Sequence, residues 1–67
     1  MKLYIREHRI RKGWTQHKLA QAGGWFDSQV SDWEAGKRRP GVASMFRLAE
    51  VFGVTVDDLT RPPIKED

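Results

Sequence analysis

The sequence predicts an all-α fold of five short helices in a compact domain, and three observations support this. Apolar side chains recur at helical spacing, and no pair of alternating strand-like runs is present. Thr15, Asp27 and Thr55 stand where helix N-caps are expected, and glycines follow most of the helical segments. The 67 residues allow one domain with a small core. We assign residues 1–60 to this domain and residues 61–67 to a polar C-terminal tail.

The first two helical segments are short and end at glycines. The first runs from about Leu3 to Lys12, although its apolar pattern is weak. The second begins after Thr15, a good N-cap residue, and ends at the pair Gly23 and Gly24. A loose, glycine-containing turn is therefore expected between the second segment and the third.

The third segment begins near Asp27 and ends at Gly36. Val30 and Trp33 fall on one side of this helix, where they can anchor it on the core. The opposite side carries short polar side chains, which are therefore free to point outward.

The fourth segment carries the clearest helical stripe of the chain, with the spacing i, i+3, i+4, i+7 and i+10. Gly53 fits its C-cap. Thr55 and Asp58 then match a capping box that opens a one-turn fifth helix. The stripe that we expect to face the core comprises Val42, Met45, Phe46, Ala49 and Phe52.

Charge is unevenly distributed along the chain, although the net charge is only +3. Residues 1–26 carry six Lys or Arg against one Glu, and residues 35–47 carry four basic residues without an acid. Residues 27–34 carry three acids, and residues 48–67 carry five acids against two bases. The basic segments suggest a polyanionic partner, although a solvated charged surface explains them equally well.

The same composition argues against several other classes of protein. There is no cysteine, which excludes disulfides and thiolate metal sites, and two histidines do not make a metal site. No apolar run approaches the roughly 20 residues of a membrane helix, and the charged start lacks a signal-peptide core. We therefore expect a cytoplasmic protein. We expect no enzyme activity, cofactor or metal either, because no catalytic triad, phosphate-binding loop or metal-ligand spacing is visible.

The second and third segments together give a helix, a glycine-containing turn and a second helix, the form of a DNA-reading helix-turn-helix. Over residues 5–59 the sequence resembles the lambda-repressor-like, Cro/repressor-type (XRE) helix-turn-helix domains. The likeness is carried by TQHKLA from Thr15, by Gly24, by VSDWEAGKRRP from Val30 and by LAEVFGVTVDDL from Leu48.

The resemblance implies how the domain would bind double-stranded DNA. The N-terminus of the second helix, with Thr15 and Gln16, would contact the phosphate backbone. Lys37, Arg38 and Arg39 would contact the backbone beside the third helix, which would enter the major groove with its first turn foremost. The base contacts that the resemblance implies are Asp27, Ser28, Gln29 and Asp32.

Two carboxylates on a DNA-reading helix have alternative explanations. Asp27 can cap the third helix, because this chain has Phe26 where the family usually has Ser or Thr, or it can accept a hydrogen bond from cytosine N4. Asp32 can also read cytosine, pair with a base such as Arg38, or face solvent. Phe26 can contact a thymine methyl group or fold back on the core.

The resemblance also implies a buried, structural ion pair between Arg9 and Glu34.

Two functions remain open. The first is a sequence-specific DNA-binding transcriptional regulator, a homodimer similar to Cro-like phage regulators, controller proteins and small antitoxins. The second, favoured by the acidic third helix, is a protein-binding adaptor or antitoxin-like partner that keeps the fold without the groove contact. The residues expected at the dimer interface are Phe52, Val54, Val56, Leu59 and Ile64.

Overall fold

The structure, a computed structural model, describes residues 2–64. Within that range the chain is all helical, as predicted, and none of its helices is long and apolar enough to cross a membrane. A fifth α-helix is not confirmed, because the last segment is a short 3-10 helix. The end of the predicted tail, residues 65–67, lies outside the described residues. The elements are α1 (Ile5–Arg11), α2 (Gln16–Gly23), α3 (Asp27–Ala35), α4 (Val42–Phe52) and the 3-10 helix (Asp57–Thr60).

Helix α2 begins and ends where its end-capping residues predict. The Lys18 N–H donates to Thr15 Oγ1 at 3.0 Å, so Thr15 is the N-cap. Gly24 follows the helix with φ of 75°, a left-handed conformation that costs other residues about 1–2 kcal/mol. The glycine therefore allows the chain to turn directly from α2 toward α3.

The start of α3 differs from the expectation that Asp27 is the cap. Phe26 occupies the N-cap position, and its N–H donates to Gln29 Oε1 at 2.9 Å, which is one half of a capping box. Asp27 is the first helical residue, where a carboxylate interacts favourably with the helix dipole. The capping interpretation of Asp27 is therefore wrong. Phe26 is 77% exposed, so it does not fold back on the core.

The core is built from all five elements. Each contributes one large apolar side chain that is at most 1% exposed, and burying such a side chain contributes about 1.5–3 kcal/mol. Trp14, Trp25 and Trp33 pack around this centre and stay partly exposed. The central side chains are Ile5, Leu19, Val30, Leu48 and Leu59.

The face of α4 that contacts the core is rotated from the predicted one. Leu48, which the predicted stripe omits, is fully buried, whereas Val42 is 73% exposed and Phe46 is 63% exposed. The prediction that Val42 and Phe46 belong to the core is wrong. At 3.6 residues per turn, Phe46 lies about 160° around the helix from Leu48, so the two cannot face the same core. Ala49 and Phe52 are buried as predicted.

The 3-10 helix is fixed at both ends. The Thr55 N–H donates to Asp58 Oδ2 at 3.0 Å, and the Asp58 N–H donates to Thr55 Oγ1 at 3.1 Å, which confirms the predicted capping box. The hydrogen bond from the Thr55 backbone lowers the pKa of the Asp58 carboxyl below its usual 3.8. On the α1 side, Nε2 of the buried His8 lies 3.0 Å from the carbonyl oxygens of Asp58 and Arg61. The C-terminal segment is thereby held against α1.

Candidate nucleic-acid interface

Helix α3 is held on the core by one side and exposes the other. Val30 is fully buried, and the ring of Trp33 meets that of Trp25 edge to face with centroids 5.1 Å apart. These contacts fix the rotation of α3 about its own axis, so the polar side is presented outward. The exposed side chains of that polar side are Asp27, Ser28, Gln29 and Ser31.

The turn between α2 and α3 is tightly packed, although its glycine pair suggested a loose one. The Trp25 N–H donates to the carbonyl oxygen of Ala20 at 2.8 Å. The Trp25 ring lies against Gly23, where an added β-carbon would come within 2.1 Å of it. From α4, Arg47 Nη1 donates to the Gly23 carbonyl at 3.0 Å. These contacts set the position of α3 relative to α2.

Arg9 and Glu34 join α1 to α3 behind the exposed surface. Arg9 Nε donates to Glu34 Oε2 at 2.7 Å and Arg9 Nη2 donates to Glu34 Oε1 at 3.0 Å, with side chains only 12% and 4% exposed. Arg9 also donates to the Trp14 carbonyl at 2.6 Å. Gln16 Nε2, at the start of α2, donates to Glu34 Oε1 at 3.2 Å. The side chain of Gln16 is therefore directed toward this ion pair, and three helices meet there.

A second polar contact joins α2 and α3 at their exposed first turns. His17 Nδ1 lies 2.9 Å from both carboxylate oxygens of Asp27. The two side chains are 64% and 60% exposed. This pair could not be predicted from the sequence, because the partners lie on different helices and only the packing of α2 on α3 brings them together.

A basic edge follows α3 and comprises Lys37, Arg38 and Arg39, which are all exposed. The backbone N–H groups of Lys37 and Arg38 donate to the Asp32 carbonyl at 2.9 and 3.4 Å, so the chain turns tightly at the end of the helix. Arg38 Nε also lies 3.7 Å from the half-buried Asp32 carboxylate. Asp32 thus has a basic partner, one of the alternatives that the sequence left open.

The side chains expected at a dimer interface are only partly available for one. Phe52 is 5% exposed and Leu59 is fully buried, so neither can contact a second subunit without opening the core. Their assignment to an interface is wrong. Val54 and Val56 are half-buried, and Ile64 is 81% exposed. Apolar character alone does not distinguish a core side chain from an interface side chain, since both are apolar.

Comparisons with known proteins agree on one family. The helix-turn-helix family model matches residues 5–59. An Archaeoglobus fulgidus protein named as an uncharacterized HTH-type transcriptional regulator is 34% identical over 59 residues, which are 88% of this chain and 84% of that protein. A similarly named regulator of Sinorhizobium fredii is 33% identical over 54 residues, or 81% of this chain and 70% of its own. The crystal structure of a hypothetical transcription factor from Neisseria matches with a TM-score of 0.80 and 30% identity, covering 88% of this chain and 68% of that one.

Proposed function

The chain belongs to the helix-turn-helix family, and we propose that it is a sequence-specific DNA-binding regulator of transcription that reads the major groove with α3. The observation that supports this most is the relation between α3 and the basic edge. Ser28 and Asp32 are one helical turn apart, and Arg38 lies 3.7 Å from Asp32. Arg38, within the basic edge, therefore lies beside the side of α3 that carries Ser28.

In this proposal the contacts divide into two classes. Lys37, Arg38 and Arg39 bind phosphates, as does the N-terminus of α2 with Thr15 and Gln16. Because the Gln16 side chain is bonded to Glu34, the backbone N–H groups are what α2 offers to a phosphate. The proposed base contacts are Ser28 and Gln29, with Asp27 and Asp32 beside them.

The hydrogen bond at the start of α3 determines which end of the Gln29 side-chain amide is available to DNA. Its Oε1 accepts from the Phe26 N–H at 2.9 Å, which orients the side-chain amide. The amino group of Gln29 is thus the part available to a base, and it matches acceptors such as guanine O6 and N7 or thymine O4. Phe26, 77% exposed at the tip of α3, matches a thymine methyl group.

We also propose that the protein is a cytoplasmic, nucleoid-associated repressor that binds as a homodimer to a near-palindromic operator. Its principal dimensions are 33 × 24 × 20 Å. The longest dimension is comparable with the distance of about 34–36 Å between half-sites one turn of DNA apart, so there is room for two copies side by side on one face of the duplex.

A second candidate function is an adaptor or antitoxin-like protein that binds another protein. Val42 and Phe46 favour it, because they form an exposed apolar pair on the outer side of α4. The carboxylates of α3 favour it as well, since they repel phosphates.

Selection of bound fragments from a random DNA pool, followed by titrations at several salt concentrations, separates the two functions. A regulator selects a sequence, and the logarithm of its affinity falls linearly with the logarithm of salt concentration. We expect Arg38→Ala to weaken binding to all sequences alike, and Ser28→Ala to change the preferred sequence. Arg61→Ala, another exposed arginine, is the matched control and should bind like the wild type. An adaptor selects no sequence, and that result would exclude the first function.

A further inference from the structure

The hydrogen-bonded contact between His17 and Asp27 lies on the proposed DNA surface but has no role in the contacts assigned above. We propose that His17 determines sequence preference by holding the Asp27 carboxylate away from cytosine. This inference rests on the proposed function. It concerns whether the Asp27 carboxylate, at the first turn of α3, is available to a base.

The geometry of the pair supports this role. A carboxylate only accepts hydrogen bonds, so the imidazole nitrogen between its two oxygens must carry a proton. At 2.9 Å from each oxygen, His17 Nδ1 engages both oxygens of Asp27. Asp27 can therefore accept from a cytosine amino group only by weakening or breaking this contact. The nitrogen that the pair leaves for other partners is His17 Nε2.

The surroundings show why the carboxylate needs a partner at this position. Asp27 is 60% exposed on a side of α3 that the proposed complex turns toward the polyanion. The Asp32 carboxylate has Arg38 nearby, so the two acidic side chains of this surface each have a basic group beside them. Unlike Arg38, His17 comes from α2, so it reaches Asp27 only when the two helices are packed as in the fold.

The inference predicts a gain of function when His17 is removed. In His17→Ala the freed carboxylate can accept from cytosine N4. We expect a random DNA pool to yield a new cytosine at one position of each half-site, and the double variant His17→Ala/Asp27→Ala to lose that cytosine again. We also expect His17→Ala to bind non-selected DNA about fivefold more weakly than the wild type, because an unpaired carboxylate then faces the phosphates.

A double-mutant cycle on non-selected DNA provides the second readout. Adding Asp27→Ala to His17→Ala should restore most of the lost affinity, so the two substitutions should be far from additive. Lys18→Ala is the matched control, because Lys18 is the next exposed basic residue of α2 and has no bond to Asp27. Its combination with Asp27→Ala should be additive. Exposed polar contacts contribute little to stability, so all of these variants should fold, which circular dichroism checks.

The outcomes distinguish the inference from the function on which it rests. If the wild type selects no DNA sequence, the proposed function fails and the inference fails with it. If the wild type selects a sequence but His17→Ala selects the same one, the role of His17 is overturned while the function stands. Additive effects of His17→Ala and Asp27→Ala overturn it in the same way.

Discussion

Glu34 is the most enclosed member of the ion pairs in the described chain, with a side chain that is 4% exposed. Its carboxylate accepts from two nitrogens of Arg9 and from Gln16. Removing two charges from water is expensive, and the attraction between them only offsets that cost. The pair therefore contributes little net stability, but each partner depends strongly on the other.

We predict that Glu34→Ala lowers the free energy of unfolding by about 3–5 kcal/mol, because it leaves the Arg9 guanidinium enclosed without its partner. Urea denaturation followed by circular dichroism measures the change. Glu50→Ala, an exposed glutamate of α4, is the control and should change the free energy by less than about 0.5 kcal/mol. A loss below about 1 kcal/mol in Glu34→Ala would mean that water hydrates the Arg9 guanidinium in place of the missing carboxylate.

At the scale of elements, the sequence identified the boundaries of the helices better than their faces. Thr15 and Gly36 carry local chemistry that acts within a few residues, so both helix ends lie where they were predicted. The buried face of α4 depends on the neighbouring helices instead. Leu48 is as apolar as Phe46, and only the packing decides which of them is covered.

The candidate site divides in the same way. The exposure of Ser28 and of the basic edge could be predicted from the chain, because a helical register and a run of basic residues are both local patterns. The contact between His17 and Asp27 was not, since it depends on the crossing of α2 and α3. The N-cap at Phe26 was missed because Phe has no side-chain acceptor, and Gln29 supplies the capping bond from inside the helix.

The buried and the exposed face of α4 allow a direct comparison of stability. We predict that Phe52→Ala lowers the free energy of unfolding by about 3–5 kcal/mol, since Phe52 is 5% exposed and its loss leaves a cavity. Phe46→Ala should cost less than about 1 kcal/mol, because Phe46 is 63% exposed. Urea denaturation of the two variants measures both changes. Equal losses would place Phe46 in a buried interface.

The capping box of the 3-10 helix predicts a dependence on pH. Hydrogen bonds from Thr55 lower the pKa of Asp58 in the folded state. The stabilisation is therefore present above the carboxyl pKa of the unfolded chain and is lost as the pH falls through the lower folded value. We predict that Thr55→Ala raises the pKa of Asp58 toward its usual 3.8, which an NMR titration of the carboxyl carbon measures. An unchanged Asp58 pKa would show that the Thr55 backbone N–H alone lowers it.

For the whole molecule, the main question is how so small a domain achieves specificity. One copy presents a short exposed turn of α3 and one basic edge, which is a small surface for discrimination between sequences. A second copy doubles the number of base contacts and fixes the distance between the two sets. The homodimer that we propose therefore requires two half-sites at a fixed spacing on the DNA, whereas a monomer requires only one.

Changing the spacing between the half-sites of the selected operator tests this requirement. We predict that five inserted base pairs reduce the affinity to that of an isolated half-site, because half a turn of DNA places the second half-site on the opposite side of the duplex. Fluorescence anisotropy measures the affinity, and sedimentation measures the stoichiometry of each complex. A full-turn insertion, about 10 base pairs, is the control. It returns the second half-site to the same side of the duplex but leaves it farther away, so it distinguishes a rigid dimer from two flexibly joined domains. Equal affinity for the original and five-base-pair operators would show that each copy binds alone, and the dimer proposal would then be wrong even if α3 reads the groove as proposed.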